Sequence, residues 1–382
     1  MGENEREDKY IRDPAEREAM LGLWAVPGLG PVTIDHIAAL TAHAGSVSAL
    51  LDEPVKNWAP CVPRMRPYPR EFLECVDTLR NLAARVRECA ARSRQQIAFP
   101  GDPNYPERLL ELRDYPRVLF HVGEMGLPRK RVAIVGSRDT DPAVRSFATR
   151  LAHDLADAGI GIVSGAARGI DECAHTGALG AKGETWAFIA SSIDQMDAGA
   201  RTICRAAVRG GGMVLTEYPP NTRSQRESFP RRNRLISGVA DLVVAIRAGR
   251  QSGTLHTMRA AVEQGRPLRV VPSAPWQEGN EAGNDYLATG LARACNSASD
   301  VLEALGVVPG NAPKPRVGVR LDELQLSRPA RVAFRALKRR RQMFEEILDN
   351  SKLDVSELLS ALTELELAGL AVQHPGKIYE RV

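Results

Sequence analysis

The chain has 382 residues, enough for two or three domains, and its hydrophobic share of 43% supplies a sizeable core. Its formal net charge of only +4 predicts that any polyanion-binding surface is local. Aromatic residues make up 5%, which excludes a base-stacking platform spread over the whole surface. The polar, acidic N-terminus lacks the apolar core of a secretion signal, and no run of about 18 apolar residues occurs. We therefore expect a cytoplasmic protein without membrane spans.

The six cysteines include no Cys-x-x-Cys pair. They lie in or beside apolar patterns, which favours buried free thiols in a reducing compartment over disulfide bonds or a zinc site. These cysteines are Cys61, Cys75, Cys89, Cys173, Cys204 and Cys295.

Residues 1–95 predict an all-α N-terminal domain of the SAM or helix-hairpin-helix type. A Val-Pro-Gly-Leu-Gly-Pro turn at residues 26–31 separates two helical patterns, and a further helix is predicted over residues 69–94. Such a turn can direct backbone N–H groups at a DNA phosphate. An ordinary connection between two helices has the same sequence features, so both interpretations stay open.

Residues 96–306 predict a doubly wound α/β domain with a parallel sheet. A turn-rich segment at residues 101–106 marks its beginning, and an edge strand is predicted over residues 119–123. Apolar runs then alternate with helical patterns, for example over residues 143–158 and 255–264, which is typical of strands buried on both faces. The predicted strands are residues 132–135, 161–163, 185–190, 213–215, 242–246 and 268–271.

The rest of the chain predicts a linker and a small C-terminal domain. Residues 307–320 are rich in proline and glycine, as linkers are. Over residues 321–382, helical patterns followed by a predicted two-strand ribbon resemble a winged helix. Its last helix, over residues 356–368, holds three glutamates and no lysine or arginine, which favours contact with protein over duplex DNA. The basic run at residues 338–341 could contact phosphate or form a solvated face.

Five short loops carry most of the functional signal, at residues 134–138, 164–171, 216–219, 229–234 and 251–254. Because the carboxyl ends of parallel strands share one edge, we expect the loops to gather there and to present backbone N–H groups and arginines that suit phosphate. The candidate binding residues are Gly136, Ser137, Arg138, Ser164, Gly165, Arg168, Gly169, Arg231, Arg232, Asn233, Arg234, Arg250, Ser252 and Gly253.

Known catalytic and cofactor motifs are missing from the sequence. No Gly-x-Gly-x-x-Gly with a following acidic residue occurs, which disfavours NAD, and no Walker loop occurs. Without a nucleophile elbow or a metal-ligand set, we expect a binding protein rather than an enzyme, with no catalytic residue, cofactor or metal. Asp171 and His175 share a helical face and could act as acid and base or as metal ligands. A first-turn aspartate hydrogen-bonded to the histidine is the favoured interpretation.

These motifs, in this order, closely resemble the DprA/Smf family of DNA-processing proteins. The resemblance covers roughly residues 96–305, and it implies a Rossmann-like fold that binds single-stranded DNA without a nucleotide cofactor. It also implies a homodimer formed through this domain, and a mediator that loads RecA onto incoming single strands in natural transformation or DNA uptake. Carried over by position, the implied DNA contacts are Arg138, Arg168, Arg232, Asn233, Arg234, Ser252 and Gly253.

The chain departs from the family pattern at three places. The family's Gly-x-Gly-x-Asp-x-x-Tyr-Pro is replaced by Ala-Ser-Ser-Ile-Asp-Gln-Met-Asp at residues 190–197, which predicts an altered wall of the cleft. Where the family commonly has an acidic residue after the fifth strand, this chain has Arg247. Where the family often has a basic residue just before Ser-Gly, this chain has Gln251. Arg247 and Arg250 could restore positive charge nearby.

Two other functions stay open beside the mediator. One is a nucleotide-binding or nucleotide-processing enzyme on a related Rossmann-like fold, although the Pro-Gly-Gly-x-Gly-Thr loop of such enzymes is Gln-Ser-Gly-Thr here. The other is a ligand-sensing adaptor whose winged helix binds duplex DNA. For the mediator, charge reversal at Arg138 or Arg234 should weaken single-strand binding about tenfold or more.

Overall fold

The computed structural model describes most of the chain in two compact units, Met1–Pro315 and Arg316–Val382. The described residues are 3–26, 29, 34–62, 78–126, 129–307, 327–338, 342–367, 371–374, 376 and 378–381. The predicted linker beyond residue 307 and most of the predicted hairpin turn at residues 26–31 lie outside them.

The first unit begins with helices that pack against one edge of a sheet. α2 starts after Asp13, whose carboxylate accepts a hydrogen bond from the Glu16 amide at 2.9 Å. Gly22 allows α2 to lie against the start of α5, since a Cβ atom there would be 2.2 Å from the Leu79 carbonyl oxygen. The buried cluster of these helices extends to Phe120 of the sheet. The helices are α1 (Glu3–Glu7), α2 (Pro14–Trp24), α3 (Ile34–Ala44), α4 (Val55–Trp58) and α5 (Leu79–Arg92).

In the described part of the first unit, nine strands form one sheet in the order β1-β2-β6-β5-β4-β3-β7-β8-β9. The pairings from β6 through β9 along this order are parallel, while β2 is antiparallel to both β6 and β1. The strands are β1 (Gln96–Ala98), β2 (Leu119–Val122), β3 (Arg131–Gly136), β4 (Gly161–Ser164), β5 (Thr185–Phe188), β6 (Met213–Thr216), β7 (Leu242–Ile246), β8 (Leu268–Val270) and β9 (Arg293–Ala294).

All six predicted parallel strands occur close to their predicted positions, which confirms the doubly wound sheet. The reason is visible in β3, where Val132 and Ile134 face one buried cluster while Ala133 and Val135 face another. Both faces are covered, so a continuous apolar run results. The predicted edge strand is wrong in one respect, because β2 lies one place inside the sheet and β1 covers it.

Helices cover both faces of the sheet and connect its parallel strands. The predicted helix over residues 143–158 is α6, and that over 255–264 is α10. As a result, the carboxyl ends of β3, β4, β5 and β7 lie along one edge. The helices are α6 (Pro142–Asp157), α7 (Ile170–Gly180), α8 (Ala198–Arg209), α9 (Ser228–Val239), α10 (Gly253–Glu263), α11 (Glu281–Ala288) and α12 (Ala298–Ala304).

The second unit has its own core around Phe334, Ile347, Leu362 and Tyr379. A three-stranded antiparallel sheet in the order β10-β12-β11 contains the predicted ribbon. This unit also contains two elements that were not predicted, a third helix and the short strand β10. The elements are α13 (Arg328–Ala336), β10 (Gln342–Met343), α14 (Phe344–Ser351), α15 (Val355–Leu367), β11 (Ala371–His374) and β12 (Ile378–Arg381).

Membrane spans and cysteines were two subjects of the sequence-based expectations. Every helix there is too short or too polar to span a membrane. The cysteines there are free thiols, and Cys173, Cys204 and Cys295 are buried as predicted. The prediction is wrong for Cys61, which is exposed at the end of a short turn, and Cys89 is only partly buried. Cys75 lies outside the described residues.

Candidate nucleic-acid interface

The loops at the carboxyl ends of the parallel strands border two adjoining cavities of about 770 and about 430 Å³. The larger lies against the loops after β4 and β5 and the start of α8, and the smaller lies against the loop after β3 and the starts of α9 and α10. Both are lined by Arg138, Asp139, Ala167, Phe229 and Arg232. We call the two together the strand-end cleft. Four of the five predicted loops therefore meet in one place.

Two exposed arginines in the described part of the cleft lack a carboxylate partner. The Arg138 guanidinium carbon lies 5.0 Å from the centroid of the half-buried Phe229 ring. Arg226 lines the smaller cavity and is also exposed. Arg226, three residues before Phe229, is not among the binding residues predicted from the sequence. Both guanidinium groups are available to an anion.

Arg168 is exposed and pairs with Asp139 across the mouth of the cleft. Their atoms Nη2 and Oδ1 are 2.5 Å apart, and the two side chains are 74% and 85% exposed. Such a surface pair is weak, so a phosphate can displace Asp139 from Arg168. The Ser137 hydroxyl is used locally, since it donates to the Asp139 carbonyl at 2.8 Å. Ser137 therefore shapes the loop that carries Arg138.

Arg232 is buried and joins α9 to the ends of β4 and β5. Its Nη1 donates to the carbonyls of Gly165 at 2.5 Å and Phe188 at 2.6 Å, and its Nε donates to Oδ1 of Asn233 at 3.0 Å. The Asn233 amide donates in turn to the Gly253 carbonyl at 3.2 Å. Burial lowers the pKa of Arg232. The Arg-Asn pair thus acts as a brace beneath the cleft.

Asp171 compensates the buried charge of Arg232. Burial raises the pKa of its carboxyl group, and the neighbouring Arg232 opposes that rise. The Ala167 amide donates to its Oδ2 at 3.4 Å. The predicted hydrogen bond between Asp171 and His175 is wrong: His175 Nδ1 contacts Oγ1 of Thr185 at 2.7 Å instead, and burial lowers its pKa to about 3. In the described residues, no group of three His, Cys, Asp or Glu could hold a metal ion.

The glycines of the cleft have different reasons for being glycine. A Cβ atom on Gly136 would be 2.1 Å from the Ile246 carbonyl oxygen, so the close packing of β3 against β7 requires glycine at this position. Gly169 has φ +93°, and a Cβ there would be 2.6 Å from the carbonyl oxygens of Ser137 and Arg138. A Cβ on Gly165 would meet the Arg232 guanidinium at 2.7 Å. Close approach of protein groups explains all three.

The start of α10 is open toward the smaller cavity. Ser252 is the N-cap residue, yet its side chain makes no capping hydrogen bond. A Cβ added to Gly253 would meet nothing within 4 Å. The first backbone N–H groups of a helix are unpaired within the helix and carry partial positive charge. This terminus leaves room for a phosphate oxygen at Ser252 and Gly253, whose binding role stays a prediction.

Several candidate residues lie elsewhere. Ser164 is fully buried, and its hydroxyl donates to the Ile134 carbonyl at 2.6 Å. Arg231 is exposed but lines neither cavity. Arg250 also lines neither and pairs with Asp285 at 3.2 Å. The structure thus gives no support to direct contacts by these three side chains within the cleft.

Arg234 points away from the cleft. Its Nη2 lies 2.6 Å from Oε2 of Glu217, and its Nε lies 3.0 Å from Oδ2 of Asp114. Glu217 is buried, which raises the pKa of its carboxyl group against the opposing effect of Arg234. The indole of Trp24 donates to the Glu217 carbonyl at 2.8 Å, so this loop fastens the N-terminal helices to the sheet. Arg234 belongs to that structural junction.

The departures from the family pattern lie at or beside the cleft. Residues 190–197 form one wall of the larger cavity, where Ser191, Gln195 and Met196 are among the lining residues. Arg247 does not restore free positive charge, because its Nη1 lies 2.6 Å from Oδ2 of Asp141. In the described residues, the arginines of the cleft without a carboxylate partner are therefore Arg138 and Arg226, while Arg168 is in a weak pair.

A doubly wound sheet with an arginine-lined strand-end cleft, followed by a separate winged-helix unit, is the architecture of a Rossmann-like DNA-processing protein. Residues 96–306 match the family described as DNA recombination-mediator protein A, and residues 322–377 match the DprA winged helix domain. The chain belongs to the DNA recombination-mediator protein A family, also named DprA/Smf, and the predicted resemblance is confirmed. The family is one of DNA-processing recombination mediators.

Known relatives agree with this assignment. The chain is similar to protein Smf of Escherichia coli, with 30% identity over 285 residues that cover 73% of this chain and 75% of the relative. It is similar to the structure of DNA processing protein A from Streptococcus pneumoniae, with 25% identity and a TM-score of 0.57, covering 77% of this chain and 98% of that one. DNA processing protein A from Helicobacter pylori, described with a unique single-stranded DNA binding mode, gives 28% identity and a TM-score of 0.50, covering 55% and 95%.

Proposed function

We propose that this chain binds single-stranded DNA in the strand-end cleft and loads RecA onto the strand during DNA uptake, without catalysing a reaction. The observation that carries the proposal is the meeting of Arg138, Arg226 and the open start of α10 around the adjoining cavities. Arginine side chains and helix N-termini are standard contacts to phosphate oxygens. The single-stranded DNA binding of the Helicobacter pylori protein supports this choice of ligand.

Contacts of this kind determine how the protein discriminates among nucleic acids. The guanidinium groups and backbone amides of the cleft recognise phosphate, so binding should depend little on base sequence. The half-buried ring of Phe229, which lines both cavities, offers an apolar surface to an unpaired base. Bases in a duplex are already stacked and paired, so the cleft suits a single strand better.

The proposal also includes two partners, RecA and a second copy of this chain. It places the protein in the cytoplasm and its role in natural transformation. These parts of the proposal rest on membership in a family of recombination mediators. In such a role the protein must bind a strand and then release it to the recombinase. Exposed arginines on loops favour this exchange because each contact to phosphate is weak and screened by salt.

Fluorescence anisotropy with a labelled oligo-dT tests the DNA-binding step. Arg138→Glu and Arg226→Glu should each weaken binding about tenfold or more, and Arg138→Ala should reduce the magnitude of the salt slope by about 0.7. Arg85→Glu is a matched control, because Arg85 is exposed on α5, away from the cleft, and has no carboxylate partner in the described residues. Unchanged binding by folded Arg138→Glu and Arg226→Glu proteins would refute the cleft. If the protein bound a mononucleotide and did not bind oligo-dT, the nucleotide-binding enzyme would be the favoured function.

The mediator step needs a second assay. RecA filament formation on oligo-dT coated with single-strand-binding protein should be accelerated by the wild-type chain and not by Arg138→Glu. If the variant accelerates RecA as the wild type does, loading does not use the cleft. Light scattering across protein concentrations measures whether the chain forms the proposed homodimer, and a monomer at all concentrations would contradict it.

A further inference from the structure

One tryptophan of this chain lies almost entirely in water. Trp24, Trp58 and Trp186 are at most 3% exposed, whereas Trp276 is 86% exposed. An indole ring can bury about 150–250 Å² of surface, so leaving one in solvent forgoes a large stabilisation. A single exposed apolar side chain is ordinary, but a tryptophan exposed to this degree beside a binding cleft is a candidate contact residue.

Trp276 lies at the tip of a closed turn. The Gln277 amide donates to the Ala274 carbonyl at 2.9 Å, which places Pro275 and Trp276 in the two central positions of a four-residue turn. Proline fixes the backbone angle of its position in advance. The ring is therefore carried on a backbone that loses little freedom when a ligand binds.

This turn is fastened to the loop that carries Arg138. Arg247 donates from Nη2 to the Glu278 carbonyl at 2.9 Å and from Nη1 to Oδ2 of Asp141 at 2.6 Å. Asp141 follows Arg138 by three residues, and Glu278 follows Trp276 by two. Arg247 makes both contacts from a left-handed backbone conformation with φ +63°, which is uncommon outside glycine. Arg247 thus acts as a positioning residue between the turn and the cleft.

The sheet order places the same turn at the end of the row of strand-end loops. The cleft is built on the ends of β5, β4, β3 and β7, and the turn follows β8, the next strand in that order. A strand of DNA that passes Arg138 and the start of α10 along this edge reaches the loop of Trp276 next. The geometry therefore extends the cleft by one position.

We infer that Trp276 stacks on a base of the single strand held in the strand-end cleft, an inference that rests on the proposed function. In the sequence, Pro275 precedes Trp276 and the polar residues Gln277 and Glu278 follow it, so the tryptophan does not belong to an apolar stretch of the chain of the kind that a protein partner would cover. An isolated aromatic face suits a base, and stacking accepts every base because each has a π face. Trp276 supplies stacking while Arg138 supplies phosphate contact.

Intrinsic fluorescence tests the inference directly, because acrylamide should quench Trp276 far more than the three buried tryptophans. Saturating oligo-dT should protect Trp276 from acrylamide. Trp276→Ala should weaken binding of oligo-dT about fivefold to a hundredfold, whereas Trp276→Phe should retain most of the affinity. Trp276→Ala should leave the salt slope unchanged because no phosphate contact is lost, in contrast to Arg138→Ala. Leu291→Ala is the matched control, since Leu291 is a large apolar side chain of the same unit and is 49% exposed.

A double-mutant cycle tests the positioning role of Arg247. Arg247→Ala should weaken binding of oligo-dT in the wild-type background, and the loss should disappear in the Trp276→Ala background. Equal losses in both backgrounds would show that Arg247 acts independently of the ring and would overturn its role.

The outcomes separate this inference from the proposed function. If oligo-dT binds the wild type and Trp276→Ala equally and leaves acrylamide quenching unchanged, the inference fails while single-strand binding stands. If oligo-dT does not bind the wild type at all, the proposed function fails. If Trp276 becomes protected as the protein concentration rises in the absence of DNA, the ring belongs to a protein contact, and the inference is overturned.

Discussion

The buried guanidinium of Arg232 is the feature whose removal should destabilise the cleft most. Arg232→Met keeps an unbranched, flexible stem but removes the guanidinium and its hydrogen bonds to the Gly165 and Phe188 carbonyls. It also leaves the Asp171 carboxylate buried without its compensating charge. Removing one partner of a buried charged pair costs about 3–5 kcal/mol. A buried carbonyl left unpaired costs about 1–3 kcal/mol, although these contributions do not add fully.

We therefore expect Arg232→Met to lower the free energy of unfolding of the first unit by at least about 3–5 kcal/mol. At about 2–4 °C for each kcal/mol in domains of about 200 residues, the midpoint of thermal unfolding should fall by roughly 10 °C. Circular dichroism measures that midpoint, and urea titration measures the free energy. Arg138→Met is the matched control, because an exposed arginine of the same cleft should change stability by less than about 0.5 kcal/mol.

Asp171→Asn tests whether the buried charges of Asp171 and Arg232 compensate each other. Asp171→Asn removes the buried negative charge, so it should cost less in the Arg232→Met background than in the wild type. Additive effects would show that the two charges do not compensate each other. Wild-type stability of Arg232→Met would show that Arg232 is not a brace, and would return it to the set of free phosphate ligands.

Three further substitutions test other parts of the structure. Arg234→Ala should destabilise the protein by about 3–5 kcal/mol in urea, because Glu217 is left buried and unpaired, whereas Arg250→Ala should change stability by less than about 1 kcal/mol. Burial lowers the pKa of His175 in the folded protein to about 3 from an ordinary 6.5. The free energy of unfolding should therefore be highest above pH 6.5 and should fall by about 1.4 kcal/mol per pH unit as the pH drops below 6.5. His175→Gln should remove this dependence in urea titrations across pH. Gly169→Ala should cost at least about 1–3 kcal/mol by urea titration, because its backbone has φ +93°.

Each of these expectations can fail on its own. Equal stabilities of Arg234→Ala and Arg250→Ala would show that the buried contact with Glu217 is worth no more than a surface pair. A His175→Gln protein with the wild-type pH dependence would assign the acid sensitivity to other groups. A Gly169→Ala protein of normal stability would show that the loop after β4 relaxes without cost.

The parallel strands were predictable because burial on both faces leaves a signal in the sequence itself. β1 and β9 left no such signal, since each has two or three residues and owes its strand conformation to the neighbour that it pairs with. Their positions depend on tertiary contacts, which a local pattern does not contain. The same is true of His175, whose partner Thr185 lies on a strand rather than on the same helix.

The candidate site was predictable as a location but not residue by residue. Arg231, Arg232 and Arg234 lie within one turn of α9, where successive residues point about 100° apart. Consequently, one faces solvent, one is buried beneath the cleft and one pairs with Glu217. A run of arginines indicates an anion site, but only the helix orientation decides which member reaches the anion. Arg226 was missed because a loop has no period from which its direction could be inferred.

The separation of buried from exposed arginines suits a protein that must hold DNA and then release it. Arg232, beneath the cleft, is balanced by the buried Asp171, and Arg234, at the junction with the N-terminal helices, is balanced by the buried Glu217. Neither arginine therefore adds free positive charge. Under the proposed function, the attraction to DNA is left to Arg138 and Arg226, which are exposed and carry no buried hydrogen bonds that DNA would have to replace. Each such contact is modest and screened by salt, and affinity accumulates only over several contacts. A strand held in this way can be transferred contact by contact to a competing protein, whereas a strand held by buried arginines would have to break the brace of the cleft itself.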